Sequence, residues 1–174
     1  TFRFITVSSY YRHKNLEILK KVIPILRERK VRCKFILTID DTNYKTFEGF
    51  EDYIVNSGPV TIHQVPGLYK SSDAVFFPSL LECFSAVYPE AMKSNIPIIT
   101  SDLSFARDIC GDAALYFDPL SEISIVKSIE SVINNKNLRD DLVIKGQNQL
   151  KKFLNSEERT KKFIQICEQI VTKV

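Results

Sequence analysis

Residues 74–100, AVFFPSLLECFSAVYPEAMKSNIPIIT, decide how this chain is read. Val75, Phe76 and Phe77 are apolar on successive positions, as in a strand covered on both faces. Pro78 and Ser79 end it, a loop carries Glu82, and SAVYPEAMKSN then reads as a helix. Pro89 is tolerated there only if the helix starts close to Ser85. PIIT (97–100) is a second apolar strand. Strand, helix and strand without an Asn-Gly or Asp-Gly hairpin turn make a parallel crossover.

Outward from this unit the same alternation recurs. Further strands are expected at FRFITVS (2–8), CKFILTI (33–39), VTIHQV (60–65) and ALYFD (114–118). Leu16, Leu19, Ile23 and Leu26 recur at helical spacing, with Asn15 as cap and Pro24 bending or shortening the helix. FEGFEDYIVNSG reads as a weaker helix ending at Gly58, and SFARDICG follows the fifth strand. Ile123, Val126, Ile129 and Ile133 mark another helix, and Leu138 to Phe153 the next. The last places Phe163, Ile166, Ile170 and Val174 on one stripe. The expected fold is α/β: a doubly wound, Rossmann-like parallel sheet of about six strands with extra C-terminal helices, residues 1–174 forming one domain. Ligands of such sheets bind outside the carboxyl ends of the strands.

The bulk composition excludes several classes. With 44% hydrophobic and 26% charged residues the chain has the make-up of a globular domain. A formal net charge of +3 does not argue for nucleic acid, and the late lysines (145, 151, 152, 161, 162) are explained by a solvated helix face. The four cysteines are scattered without a Cys-x-x-Cys pair, and His13 and His63 are the only histidines, which suits a reducing compartment and offers no zinc site. No apolar run approaches membrane-spanning length, and TFRFITVSS resembles a strand rather than a signal peptide.

Two junctions carry candidate chemistry. After the first strand, Arg12, His13 and Lys14 precede a helix, a place that favours anions through unpaired N–H groups and the helix dipole. Arg12 would fork onto diphosphate oxygens and Lys14 act as a point charge; a solvated basic loop explains the same residues, and His13 is read as a surface or capping residue. Five glycines assemble neither G-x-G-x-x-G nor a P-loop, so Asp40 and Asp41 are read as a solvated turn rather than a ribose site. At the fourth junction, Ser85 and Ala86 allow close approach to the backbone, while Glu82 and Glu90, eight positions apart, offer acceptors to a polyol such as a sugar and a ribose. Two solvated carboxylates are the plain alternative.

The run from Leu68 to Pro119 resembles the nucleotide-sugar-binding C-terminal domain of retaining glycosyltransferases with the GT-B fold, of the glycosyl transferases group 1 type. The resemblance lies in the proline-serine strand end, the E-x7-E motif, the next strand followed by a serine or threonine, and GDAALYFDP, in that order. ITVSSYYRHKNLEIL is similar to the family's first βα unit. The resemblance implies that Glu82 contacts the donor sugar near the reacting carbon and that Glu90 binds the ribose hydroxyls. It further implies that Phe84, Ser85 and Ala86 approach sugar and phosphates through the backbone, that Lys14 holds the diphosphate, and that His63 to Val65 lie near the base. Ser8 and Ser9 stand where the family carries Gly-Arg, leaving Arg12 as the candidate replacement; ECFS replaces the common EGFG, and Asp108 a longer glutamate.

Asp-x-Asp pairs are absent, which agrees with a metal-independent enzyme, and no cofactor is expected beyond the nucleotide-sugar substrate. The implied activity is retaining transfer from a UDP- or GDP-sugar to a glycan or lipid-linked acceptor. The acceptor site would lie in an N-terminal domain outside these 174 residues, so that the chain alone would be inactive. A cytoplasmic enzyme of polysaccharide biosynthesis, peripheral at the inner face of a membrane, is the corresponding location. The alternatives are a nucleotide-sugar epimerase of GT-B architecture and a non-catalytic α/β nucleotide-binding or interaction domain. A phosphorylated receiver would need an acid at a strand end where this chain has Ser8 and Ser9.

Overall fold

The computed structural model describes residues 1–171. Six strands, β1 (Phe2–Thr6), β2 (Cys33–Leu37), β3 (Ile54–Asn56), β4 (Ala74–Phe77), β5 (Ile98–Ser101) and β6 (Ala114–Phe117), form one parallel sheet in the order β3-β2-β1-β4-β5-β6. The order reverses between β1 and β4, which pair through Phe4↔Ala74 and Ile5↔Val75. A crevice opens at such a switch point, beyond the carboxyl ends of the two strands.

Adjacent residues of one strand feed opposite layers, which is why several strands carry apolar residues on successive positions. Phe4, Phe35, Phe76 and Phe117 stack in a ladder across one face, with neighbouring centroids 5.3–5.6 Å apart. That face is covered by α1 (Leu19–Glu28) and α6 (Glu122–Asn134), through Val22, Ile23, Leu26, Val126 and Ile129. Ile5, Val75, Phe77 and Ile98 face the other way. They meet α3 (Val65–Lys70), α4 (Val87–Lys93) and α5 (Ser104–Cys110) through Tyr69, Tyr88, Ala91, Met92 and Ile109. A short helix, α2 (Asp41–Tyr44), follows β2, with Asp40 as its cap accepting from Asn43 N–H at 2.9 Å. These bonds from Asn43 hold the Asp40 carboxyl below its ordinary range, so the acid is occupied in a turn, as read from the sequence.

Helix α7 (Lys136–Leu150) packs on α4, where Gly146 lets the two approach: a methyl group there would sit 3.3 Å from Met92 Cγ. Gln147 Nε2 donates to the Met92 carbonyl, closing the same contact. Helix α8 (Ser156–Val171) starts on a reciprocal cap, Glu158 N–H to Asn155 Oδ1 and Asn155 N–H to Glu158 Oε2.

Several expectations from the sequence are corrected. VTIHQV is no strand: Thr61 and Gln64 close a turn, Gln64 N–H donating to Thr61 O at 2.9 Å, and α3 begins at Val65 with Pro66 in its first turn. The third strand is Ile54–Asn56, inside the segment read as a helix. Gly49, at φ 86°, ends the short helical turn Lys45–Phe47, and the chain then extends to pair with β2. Asn15 makes no side-chain cap. It lies at φ 54° between two 3-10 turns, and its amide donates to Pro119 O at 3.0 Å. In α6 the buried stripe is Ile125, Val126, Ile129 and Val132, leaving Ile123 exposed. Phe163, Ile166 and Ile170 share the exposed helix α8, and Val174 lies outside the described residues.

Two predictions follow from this packing. Phe76→Ala removes the middle of the aromatic ladder from a fully buried position and should destabilise the protein by about 3–5 kcal/mol in urea unfolding. Burial pushes the thiols of Cys33 and Cys110 up to about 12, so a thiol reagent at pH 8 should modify only the exposed Cys83 and Cys167 until the protein is unfolded.

Candidate functional site

The first and fourth βα junctions are joined across the switch point. Arg12–Lys14 form a 3-10 turn, closed by Lys14 N–H to Tyr11 O at 2.9 Å. The loop after β4 binds to this turn: Leu80 N–H donates to His13 O at 2.7 Å, and Ser79 Oγ to the same carbonyl at 3.2 Å. Thr38, beyond β2, is joined to the Ser8 backbone by hydrogen bonds of 3.0 and 3.2 Å. Asn15 reaches Pro119 beyond β6. Four strand ends are thus tied into one rim.

That frame brings Lys14 against Glu82, Nζ to Oε1 at 2.5 Å, with the ammonium also 5.2 Å above the centre of the Phe77 ring. Their side chains are only 16% and 10% exposed, so water screens the pair weakly. Glu90 stands on the first turn of α4, half-buried, and accepts a 3.0 Å hydrogen bond at Oε2 from Tyr69 Oη. The Tyr69 phenol is pushed far above its ordinary range, first by burial and then by the Glu90 charge, so it donates rather than ionises.

A cavity of about 360 Å³ opens beside Glu90, lined by Val7, Ser8, Ser9, Thr38, Ala86 and Val87, and by Pro59, Val60, Ile62 and Val65. The loop after β3 therefore forms one wall, from a turn rather than a strand; of the His63–Val65 region, Val65 lines the cavity and His63 does not. Ser85 is buried and Ala86 exposed at the entry to α4. The N–H groups of Phe84, Ser85 and Ala86 donate to no described residue. Phe84 is 58% exposed, edge-on to Phe153 with centroids 6.4 Å apart.

Arg12 lies elsewhere. It is exposed, beside a smaller depression of about 170 Å³ with Tyr10, Tyr11, Leu16, Glu17 and Leu80, and shares no lining residue with the Glu90 cavity. Asp108 is exposed on α5, whose Arg107 instead forms a two-point ion pair with Asp102 at 2.5 and 2.9 Å. Among the described residues no three His, Cys, Asp or Glu side chains gather as a metal site. Tyr69 was missed in the sequence. Its only signal was a lone aromatic before the fourth strand, which a buried core residue explains equally well.

Comparison with known proteins decides the family. Residues 1–149 match the description "Glycosyl transferases group 1". The chain belongs to that family. Within it, one relative is the O-antigen chain mannosyltransferase B of Escherichia coli, 29% identical over 108 residues, or 62% of this chain and 28% of that protein. The chain thus aligns with little more than a quarter of that curated relative. Among solved glycosyltransferases of the GT-B fold, sucrose-phosphate synthase from Thermosynechococcus elongatus superposes with a TM-score of 0.81 at 17% identity, over 98% of this chain and 46% of that one. A mutant of S. aureus TarM, solved with UDP among its ligands, gives 0.81 at 16% identity over 94% of this chain and 34% of that one. At these identities the superpositions bear on fold, and the fold agrees with the sequence reading of this glycosyltransferase-family chain.

The Lys14–Glu82 contact has a direct test. Lys14→Met and Glu82→Gln should each cost about 1–3 kcal/mol in urea unfolding, and the double variant less than their sum, with a coupling of about 1 kcal/mol.

Proposed function

We propose that this glycosyl transferases group 1 chain binds the nucleotide-sugar donor, a UDP- or GDP-sugar, in the crevice between β1 and β4. The observation that carries the reading is the placement of Glu90 on the cavity wall, with the Lys14–Glu82 pair joining the two junctions of the same rim. A carboxylate accepts from hydroxyls, and a lysine and free backbone N–H groups favour phosphate oxygens; these are the groups of a nucleoside diphosphate sugar. TarM was solved with UDP, and the third of it that this chain covers has the same fold.

In this reading Glu90 accepts from the ribose hydroxyls. Lys14 and the N–H groups of Phe84, Ser85 and Ala86 stabilise charge on the departing diphosphate. Glu82 steadies the sugar beside its reacting carbon, while Arg12, at its separate depression, takes no part in the donor site. During transfer the bond from the sugar carbon to the phosphate oxygen breaks, its electron pair leaving with the nucleoside diphosphate. The acceptor hydroxyl forms the new bond on the same face and its proton passes to the leaving phosphate oxygen, so configuration is retained. Stabilisation of the departing charge by fixed donors is the electrostatic contribution an oxyanion hole makes, and the proposed transfer proceeds without a metal.

The acceptor, a glycan or lipid-linked glycan, would be held by an N-terminal domain that these 174 residues do not include, with residues 1–174 as the single donor domain. The O-antigen relative supports a role in polysaccharide biosynthesis, and the proposed setting is the cytoplasmic face of a membrane. Among the described residues no helix is long and apolar enough to cross one.

Calorimetric titration of the intact protein with UDP, GDP, UDP-glucose and GDP-mannose tests the reading. Saturable binding of one base is expected, weakened about ten- to a hundredfold by Glu90→Ala and by Lys14→Ala, since each removes a charged hydrogen-bonding group. Absence of binding by all four ligands at millimolar concentration would overturn it.

A further inference from the structure

Glu90 is paired with a neutral donor. Tyr69 Oη sits 3.0 Å from Oε2, while no described residue donates to Oε1. Tyr69 is only 1% exposed, held by the layer of Val75, Phe77, Val87, Tyr88 and Ala91 beneath the cavity, so its hydroxyl has little freedom to turn elsewhere. A glutamate rotates about three side-chain torsions, and the last, which sets the plane of the carboxylate, is the softest. A fixed donor on one oxygen removes that freedom and leaves the other oxygen for a ligand. Since the partner carries no charge, Glu90 keeps its full negative charge toward the cavity, unlike Glu82, which faces an ammonium at 2.5 Å.

We propose that Tyr69 is a positioning residue that orients the Glu90 carboxylate and thereby sets the preference for ribonucleotides over 2′-deoxyribonucleotides. This rests on Glu90 accepting from ribose hydroxyls, as proposed above. A vicinal diol presents two hydroxyls at a fixed separation, and a carboxylate receives both well only when its plane is held facing them. A 2′-deoxyribose offers one hydroxyl, which a freely turning carboxylate accepts as readily as a fixed one. The phenol therefore contributes to the difference between the two sugars more than to affinity in general. Of the cavity's lining side chains Glu90 alone is a carboxylate, so the discrimination has no second acid on that wall to share it.

The test is a comparison of affinities for ribo- and 2′-deoxy forms of the nucleoside diphosphate, UDP with dUDP and GDP with dGDP, measured on the intact protein, Tyr69→Phe and Glu90→Ala. The unmodified protein should prefer the ribo form by about tenfold, the value of one hydrogen bond to a charged group. Tyr69→Phe keeps the ring and its packing, and should cut that preference to about threefold or less, chiefly by weakening the ribonucleotide. Glu90→Asp, too short to meet both the phenol and the diol, should give the same loss by a second route. A residue serving the core alone would lower the melting temperature and leave the ribo-to-deoxy ratio unchanged; that outcome in Tyr69→Phe, with the ratio abolished in Glu90→Ala, would overturn the role of Tyr69 and leave the ribose reading standing. An unmodified protein without any ribo preference would overturn both.

Discussion

The pairing of β1 with β4 is the constraint on which the rest depends. Phe4 and Ile5 lie beside Ala74 and Val75, about seventy residues further along the chain, and the strand order reverses at that seam. Crossovers pack to either side of it, so the carboxyl ends of the two strands diverge and leave a crevice. Thr6 Oγ1, buried at the end of β1, donates to Phe76 O at 2.6 Å and closes the seam from within. Leu80 and Ser79 then bind the His13 carbonyl and close it from above. These bonds bring the two loops together, and Lys14 meets Glu82 across them. Their short contact is a consequence of the sheet.

The two glutamates of the fourth junction, eight residues apart, end in different electrostatic settings. Glu82 meets a cation in a little-exposed place, and the pair is nearly neutral seen from the crevice. Glu90 meets a phenol and keeps its charge on the cavity wall. One carboxylate is thus committed to a cation, and the other is hydrogen-bonded without being neutralised. Two acids with different neighbours can serve two ends of one ligand.

The helix that carries Glu90 is braced from behind. Helix α4 is locked by α7 through Gly146 and Gln147, so Glu90 stands on an element with little room to shift. The wall across the cavity is a turn and a short helix around Pro59, Ile62 and Val65, the first two exposed and Val65 half-buried. The α4 side offers the charged group, and the loop side offers mainly apolar contact.

Much of the architecture was legible in the sequence because a sheet covered on both faces demands successive apolar residues, which five of the six strands display. The edge strand was not. Ile54–Asn56 pairs on one side only and is three residues long, too short to carry a period, while VTIHQV has the β-branched composition of a strand and no neighbour to pair with. Glu82, Glu90 and Lys14 were visible through their motif, and the structure shares their neighbourhood out unequally: Ala86 lines the cavity with Glu90, Lys14 turns to Glu82, and Arg12 faces a separate depression. By itself the sequence determined the layer order, the junction that holds the candidate chemistry and the family, since these follow from patterns along the chain. Only the tertiary structure decided the partners: Lys14 with Glu82 and Tyr69 with Glu90 are joined across 68 and 21 residues, and such contacts depend on how strands are ordered in space.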